Sequence, residues 1–207
     1  SQVTLLPQGV GAFIAGIRHD EALNHGRVAL IDIGSRTTEL VAFAEGNYLH
    51  HASKGLIHGI APLYQQLAER MRTNGTHAID PYEVEAAYLG IRPIRLNGQQ
   101  IGHEELHEQM DALVQPWLDT LWTQMSQLWG DGAPTYDRVV YCGGGAVLLG
   151  PLLTTRFRQD ATVLPDSQLA NAMGYLTFVR WKQRGTDEEQ TVQDTASPTD
   201  TIPALSS

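Results

Sequence analysis

The sequence predicts an α/β domain: a mixed sheet of about five strands with helices on both faces. Short apolar runs of strand length alternate with longer stretches of helical spacing. The run 28–31 is apolar without interruption, as a strand covered on both faces must be. Two glycine-rich turns, at 32–39 and 141–146, each follow a strand of that kind.

Taken in order, an apolar run at 3–6 passes through Pro7, Gln8 and Gly9 into a small-residue helix over 10–17. Strands are expected at 28–31, at 38–44 and, across the Glu45-Gly46-Asn47 turn, at 48–53. From Gly59 the spacing turns helical, with Ile60, Leu63, Leu67 and Met71 on one face and Asn74-Gly75 as the stop. Asp80 before Pro81 reads as an N-cap followed by proline at the first helical position, opening a short helix to Tyr88. Asn97-Gly98 between 91–96 and 99–101 is a hairpin signal.

The longest helix carries Leu106, Met110, Leu113, Trp117, Leu121, Met125 and Leu128 at steps of three and four, and Pro116 should kink or divide it. A strand at 138–141 leads into Gly143-Gly144-Gly145-Ala146 and a helix; a last strand at 161–164 and a last helix at 167–182 follow. The folded unit is thus placed at 1–184. From Gly185 the composition turns polar and acidic, which predicts a disordered tail over 185–207. It reads either as a solvating segment or as one that binds a partner or regulates assembly.

With 207 residues, 42% of them hydrophobic, the chain can bury a sizeable core. Its one cysteine, Cys142, excludes an internal disulfide, and no stretch reads as a signal peptide or a membrane span, so the expectation is a cytoplasmic protein with no membrane partner. A formal net charge of −9 excludes a DNA binder that works by bare phosphate contact. Any link to DNA would run through another protein.

The first glycine turn is suited to phosphate. Gly34 lets backbone approach an anion, the N–H groups with the Ser35, Thr37 and Thr38 side chains can hold phosphate oxygens, and Asp32 can hold Mg2+ through water. The same residues also suit an ordinary hairpin turn. In the second, Gly143, Gly144, Gly145 and Ala146 offer side-chain-free backbone to a base or ribose, with a helix N-terminus beyond it. Each motif is weak alone; the pair, in this order and about a hundred residues apart, says more.

Asp32, Gly34, Thr37 and Glu39 match the pattern Asp-x-Gly-x-x-Thr-x-Asp/Glu, so that 28–43 resembles the second phosphate loop of the actin, sugar kinase and heat-shock chaperone superfamily. Residues 139–153 resemble its adenosine motif. The hairpin at Asn97-Gly98 and the segment 166–176 look most like actin-like ATPases of the ParM/StbA plasmid-segregation type. The resemblance covers about 3–182 and corresponds to the second domain alone.

It implies a ribonuclease H-like fold binding ATP, or GTP, with Mg2+. Leu6-Pro7-Gln8-Gly9 looks like the interdomain hinge, with Gln8 orienting the attacking water and Asp32 serving the metal. The family's first phosphate loop has no counterpart, so hydrolysis is implied only once a missing first domain or partner chain completes the site. The complete protein would self-associate into filaments that segregate plasmid DNA, reached through an adaptor. Arg36, where relatives carry a small residue, either adds positive charge beside phosphate or blocks its approach. The rival reading is a non-catalytic actin-like module used for assembly, whose uncovered apolar face would drive self-association.

Other signals carry less. His103-Glu104-Glu105-Leu106-His107 matches a zinc-protease pattern but falls at a helix start with no third ligand in view. His50, His51 and His58 read as scattered surface histidines, and Trp117, Trp122 and Trp129 as core or interface.

Overall fold

In the computed structural model, which describes residues 5–72, 79–96 and 98–195, the chain runs α1 (Val10–His19), β1 (Arg27–Ile33), β2 (Thr38–Ala44), β3 (Asn47–Tyr48), β4 (Lys54–Leu56), α2 (Ala61–Met71), α3 (Pro81–Tyr88), β5 (Arg95–Leu96), β6 (Gln99–Gln100), α4 (His103–Trp129), β7 (Arg138–Cys142), α5 (Gly144–Arg156), β8 (Thr162–Val163) and α6 (Ala170–Thr195). The main sheet has the order β3-β2-β1-β7-β8, with β4 also on β2. β1 is antiparallel to β2 and parallel to β7, and β7 is parallel to β8.

Strand alternation divides the core in two. Ala29, Ile31, Ile33, Val139 and Tyr141 face the layer that includes α2, α3 and α4, while Val28, Leu30, Val140 and Cys142 face α1 and the start of α6. Helices therefore cover both faces, and β1 is buried from Val28 to Ile33 as its unbroken apolar run requires. On the second face Phe13 of α1 stacks on Phe43 with ring centroids 3.6 Å apart.

The strand expected at 48–53 is two short ones separated by a 3-10 turn, His50–Ala52. Ser53 causes the break: its hydroxyl accepts from Ala42 N at 3.0 Å and donates to Leu49 O at 2.8 Å, taking the place of ladder bonds. Pro116 does not divide α4, which runs unbroken for 27 residues. The helix loses one backbone bond there, but Leu113, Val114, Trp117 and Leu118 on either side are buried and hold both halves to the same core.

The Asp80 cap is present, its carboxylate accepting from Tyr82 N at 2.9 Å. β5 and β6 pair across Gly98; Asn97, like Asn74-Gly75 and the first half of the run at 3–6, lies outside the described residues. α6 continues to Thr195, past residue 184 where the sequence places the end of the folded unit. Glu188, Glu189 and Gln190 are good helix formers and no proline intervenes before Pro198. The remainder of the tail is outside the described residues. No helix among the described residues is long and apolar enough to cross a membrane.

The three tryptophans of α4 are structural. Trp117 Nε1 donates to Gly59 O at 3.1 Å and its ring stacks on His58 at 4.5 Å; Trp129 Nε1 donates to Ala52 O at 2.8 Å; Trp122 stacks on Phe157. His58 is thus packed, not a loose surface histidine, whereas His50 and His51 are exposed. Replacing Trp129 by Phe leaves the Ala52 carbonyl unpaired in the core, and should cost about 1–3 kcal/mol by urea denaturation.

Candidate functional site

β1 and β7 run parallel with Asp32 opposite Cys142, so the two glycine turns leave the sheet side by side at the carboxyl ends of adjacent strands. That edge is where open α/β sheets hold ligands.

In the first turn Gly34 N donates to Thr37 O at 2.8 Å. The carbonyls of Gly34 and Ser35 accept from Ile60 N and Ala61 N at 3.1 and 2.9 Å, at the start of α2. A side chain on Gly59 would overlap the Ser35 backbone, so this glycine sets how closely α2 approaches the turn. The carbonyls are therefore committed, while the amides of Ser35 and Arg36 take no protein partner among the described residues. Free N–H groups on a tethered turn are suited to receive an anion. Ser35 and Arg36 are exposed.

Gly143 has φ +86° and donates to Ser167 O at 3.0 Å. A Cβ on it would overlap Ile33 O and stand 2.5 Å from Asp32 Oδ1, so only glycine lets the second turn lie against the first. Gly145 packs on Ile33 and Ile60, where a Cβ would meet Ile60 Cγ2 at 2.9 Å. Of the three, Gly144 alone has room for a Cβ, which would touch only Gln168, its Cγ 3.8 Å away.

Asp32 is only 5% exposed. Its Oδ2 accepts from Asn171 Nδ2 at 2.5 Å, and Asn171 Oδ1 accepts from Ala12 N at 3.1 Å, so one amide ties the carboxylate to both α1 and α6. Burial raises the Asp32 pKa, outweighing the opposite pull of its hydrogen bonds to Asn171 and Cys142. The Cys142 thiol is pushed up by its own burial and by the Asp32 charge. Glu39 is also raised by burial, against the pull of a hydrogen bond from Thr37.

Beyond the second turn, a groove of about 720 Å3 runs between Ala146, Val147 and Gly150 of α5 and the segment Asp166, Ser167, Gln168. Ser167 is buried, and its hydroxyl has no hydrogen-bond partner among the described residues.

Asp32, Gly34, Ser35, Arg36, Thr37, Gly143, Gly144, Gly145 and Ala146 thus share one edge of the sheet. Two expected site residues stand apart. Thr38 is fully buried and its hydroxyl donates to His58 O at 2.5 Å, so it is a structural residue and not a phosphate ligand. Gln8 is exposed in the turn before α1, and no hydrogen bond joins it to Asp32 among the described residues. Sequence reasoning missed Asn171, Ser167 and Gln168 as site residues, although all three lie in the segment 166–176 that carries part of the resemblance.

The family model of the archaeal MreB-like actin homologue, C-terminal domain, matches residues 30–155. No curated protein sequence matches the chain. Among solved structures, a non-polymerisable quadruple mutant of the pCBH ParM superposes with a TM-score of 0.73 at 22% identity, over 86% of this chain and 54% of that one. A ParM filament from Clostridium botulinum gives a TM-score of 0.72 at 22% identity, over 86% of this chain and 53% of the other. An archaeal actin homologue solved in complex with ADP gives 0.71 at 19% identity, over 84% and 56%. The chain therefore has the actin-like fold and spans about half the length of the structures it matches.

Proposed function

The chain belongs to the family of MreB-like archaeal actin homologues, matching their C-terminal domain, and from that premise we propose that it is the nucleotide-binding second half of a filament-forming, ParM-type actin homologue. The observation that carries this reading is the contact of the two glycine turns at Asp32, which sets free backbone amides, a carboxylate and an open groove along one edge.

The site fits a nucleotide with a divalent cation. The unpaired amides of Ser35 and Arg36 with the Ser35 hydroxyl would hold phosphate oxygens, the Arg36 guanidinium would add positive charge, and Thr37 would close the turn behind them. Asp32 would hold Mg2+ through water, the cation neutralising phosphate charge. Gly144 and the groove beyond it would take the nucleoside of ATP, or of GTP, with the orphan Ser167 hydroxyl available to it. Gln8, on the hinge into α1, would orient water once a first domain faces it; hydrolysis depends on that other half. The whole protein would polymerise in the cytoplasm and segregate plasmid DNA through an adaptor.

A second reading, an assembly module without catalysis, is favoured by one observation: Leu169, just before α6, and Met173, Leu176 and Val179 along it form an exposed stripe, from 44% to 59% accessible. Nucleotide titration separates the two. Calorimetry with ATP and Mg2+ should show micromolar binding that Gly144→Val weakens about tenfold or more, since the new side chain meets Gln168 without touching the core. Absence of binding at millimolar nucleotide would leave the assembly reading.

A further inference from the structure

We propose that His103 and His107 form a two-imidazole site for a transition-metal cation of the Zn2+ or Ni2+ class on the first turn of α4. α4 begins at His103, so the two residues stand one turn apart on the same face of the helix. Their Nε2 atoms are 3.2 Å apart. Metal–imidazole bonds are about 2.0–2.1 Å, so two nitrogens on one tetrahedral ion stand roughly 3.3 Å from each other. The pair is already spaced to share a cation.

One ring is held from outside the helix. His107 stacks on Tyr88 with centroids 4.2 Å apart, and Tyr88, itself buried, packs edge-on against Tyr64. A ring fixed in advance loses little freedom on binding. In the metal-free protein the two nitrogens share a hydrogen bond, one ring being the Nε2–H tautomer. On binding, that ring carries its proton on Nδ1 instead, both Nε2 lone pairs go to the metal, and no net proton is released.

The surroundings suit a cation. Glu104 and Glu108 are on the same helix, and Asp111 is close enough to act on Tyr88. Arg92, which lines the small cavity beside His103, is engaged by Glu83 at 3.9 Å. Among the described residues no group of three or more His, Cys, Asp or Glu side chains could hold a metal. The site is therefore bidentate, with water in the remaining positions, and not the catalytic centre of a zinc protease.

The test uses the full chain, stripped with chelator and titrated with Zn2+ and separately with Ni2+, without nucleotide. One cation per chain should bind, and His103→Asn or His107→Asn should each weaken binding roughly a hundredfold, because a chelate becomes a single imidazole. His50→Asn with His51→Asn should leave the affinity unchanged. Zn2+ should raise the unfolding temperature of the parent chain and not of the His103 or His107 variants. In the Cu2+-loaded parent, electron paramagnetic resonance should show two equivalent nitrogens. Binding as tight in the His103 and His107 variants as in the parent would overturn the proposal, as would no binding to the parent at millimolar metal.

Discussion

Gly174→Ala should cost roughly 3 kcal/mol or more of folding stability. A Cβ at Gly174 would overlap the carbonyl oxygen of Gly11, and one at Gly11 would stand 2.5 Å from Asn171 O and 2.9 Å from the Tyr175 ring. α1 and α6 thus cross backbone to backbone, and at Gly174 every close neighbour is Gly11 backbone, with no flexible side chain there to yield.

The bonds along this crossing depend on that approach. Ala12 N reaches Asn171 Oδ1, Arg18 Nη1 donates to Thr177 Oγ1 at 3.1 Å, and Tyr175 donates to Pro7 O at 3.4 Å. Moving the helices apart for a methyl group loosens all three, and draws Asn171 away from Asp32. Urea denaturation measures the loss, with the exposed Ala172→Ser as a control that should stay within about 0.5 kcal/mol. An equally small effect at Gly174 would mean that the helices do not touch there.

What the sequence shows and what it hides follow from the range of the interactions. The buried run of β1, the turn after it, the helical stripe of α4 and the Asp80 cap are set by neighbours a few residues apart, and could be read directly. The side-by-side position of the glycine turns was legible only as a pair of motifs, because it depends on β1 lying next to β7.

Asn171 was not legible as the partner of Asp32: the two are 139 positions apart, and a lone asparagine in a helix has no local signature. Thr38 was misread for the opposite reason. Its place in the motif suggested phosphate, but it occupies the inward-facing first position of β2, where its hydroxyl closes a bond to His58. The break in the strand at 48–53 turned on the Ser53 side chain, whose bond to Ala42 is visible only once the strands are paired.

Asp32→Asn should strengthen the fold while weakening the proposed function. Burial raises the Asp32 pKa, so the folded state favours the protonated carboxyl. The stability that this group contributes is fully present below its unfolded pKa of about 4 and is lost as pH rises through the higher folded value. Above that folded value the domain carries a charge it would fold better without.

An asparagine keeps the shape, can still accept from Asn171 through its oxygen, and can turn its NH2 toward the Cys142 sulfur. Chemical denaturation should show the variant more stable than the parent by roughly 1 kcal/mol at pH 7, with the difference vanishing near pH 3. Glu39 is held up as well, by burial first and in part by the Asp32 charge, so removing that charge relieves Glu39 too and adds to the variant's gain. In the same variant, Mg2+-dependent nucleotide affinity should fall at least tenfold, because the amide offers the cation no charge.

A variant less stable than the parent at pH 7 would mean that the hydrogen bonds from Asn171 and Cys142 outweigh the cost of burial. Asp32 would then be a structural carboxylate. A gain in stability together with a loss of nucleotide would instead identify it as a charge that the fold tolerates for the sake of a ligand, its hydrogen bonds from Asn171 and Cys142 repaying only part of its burial.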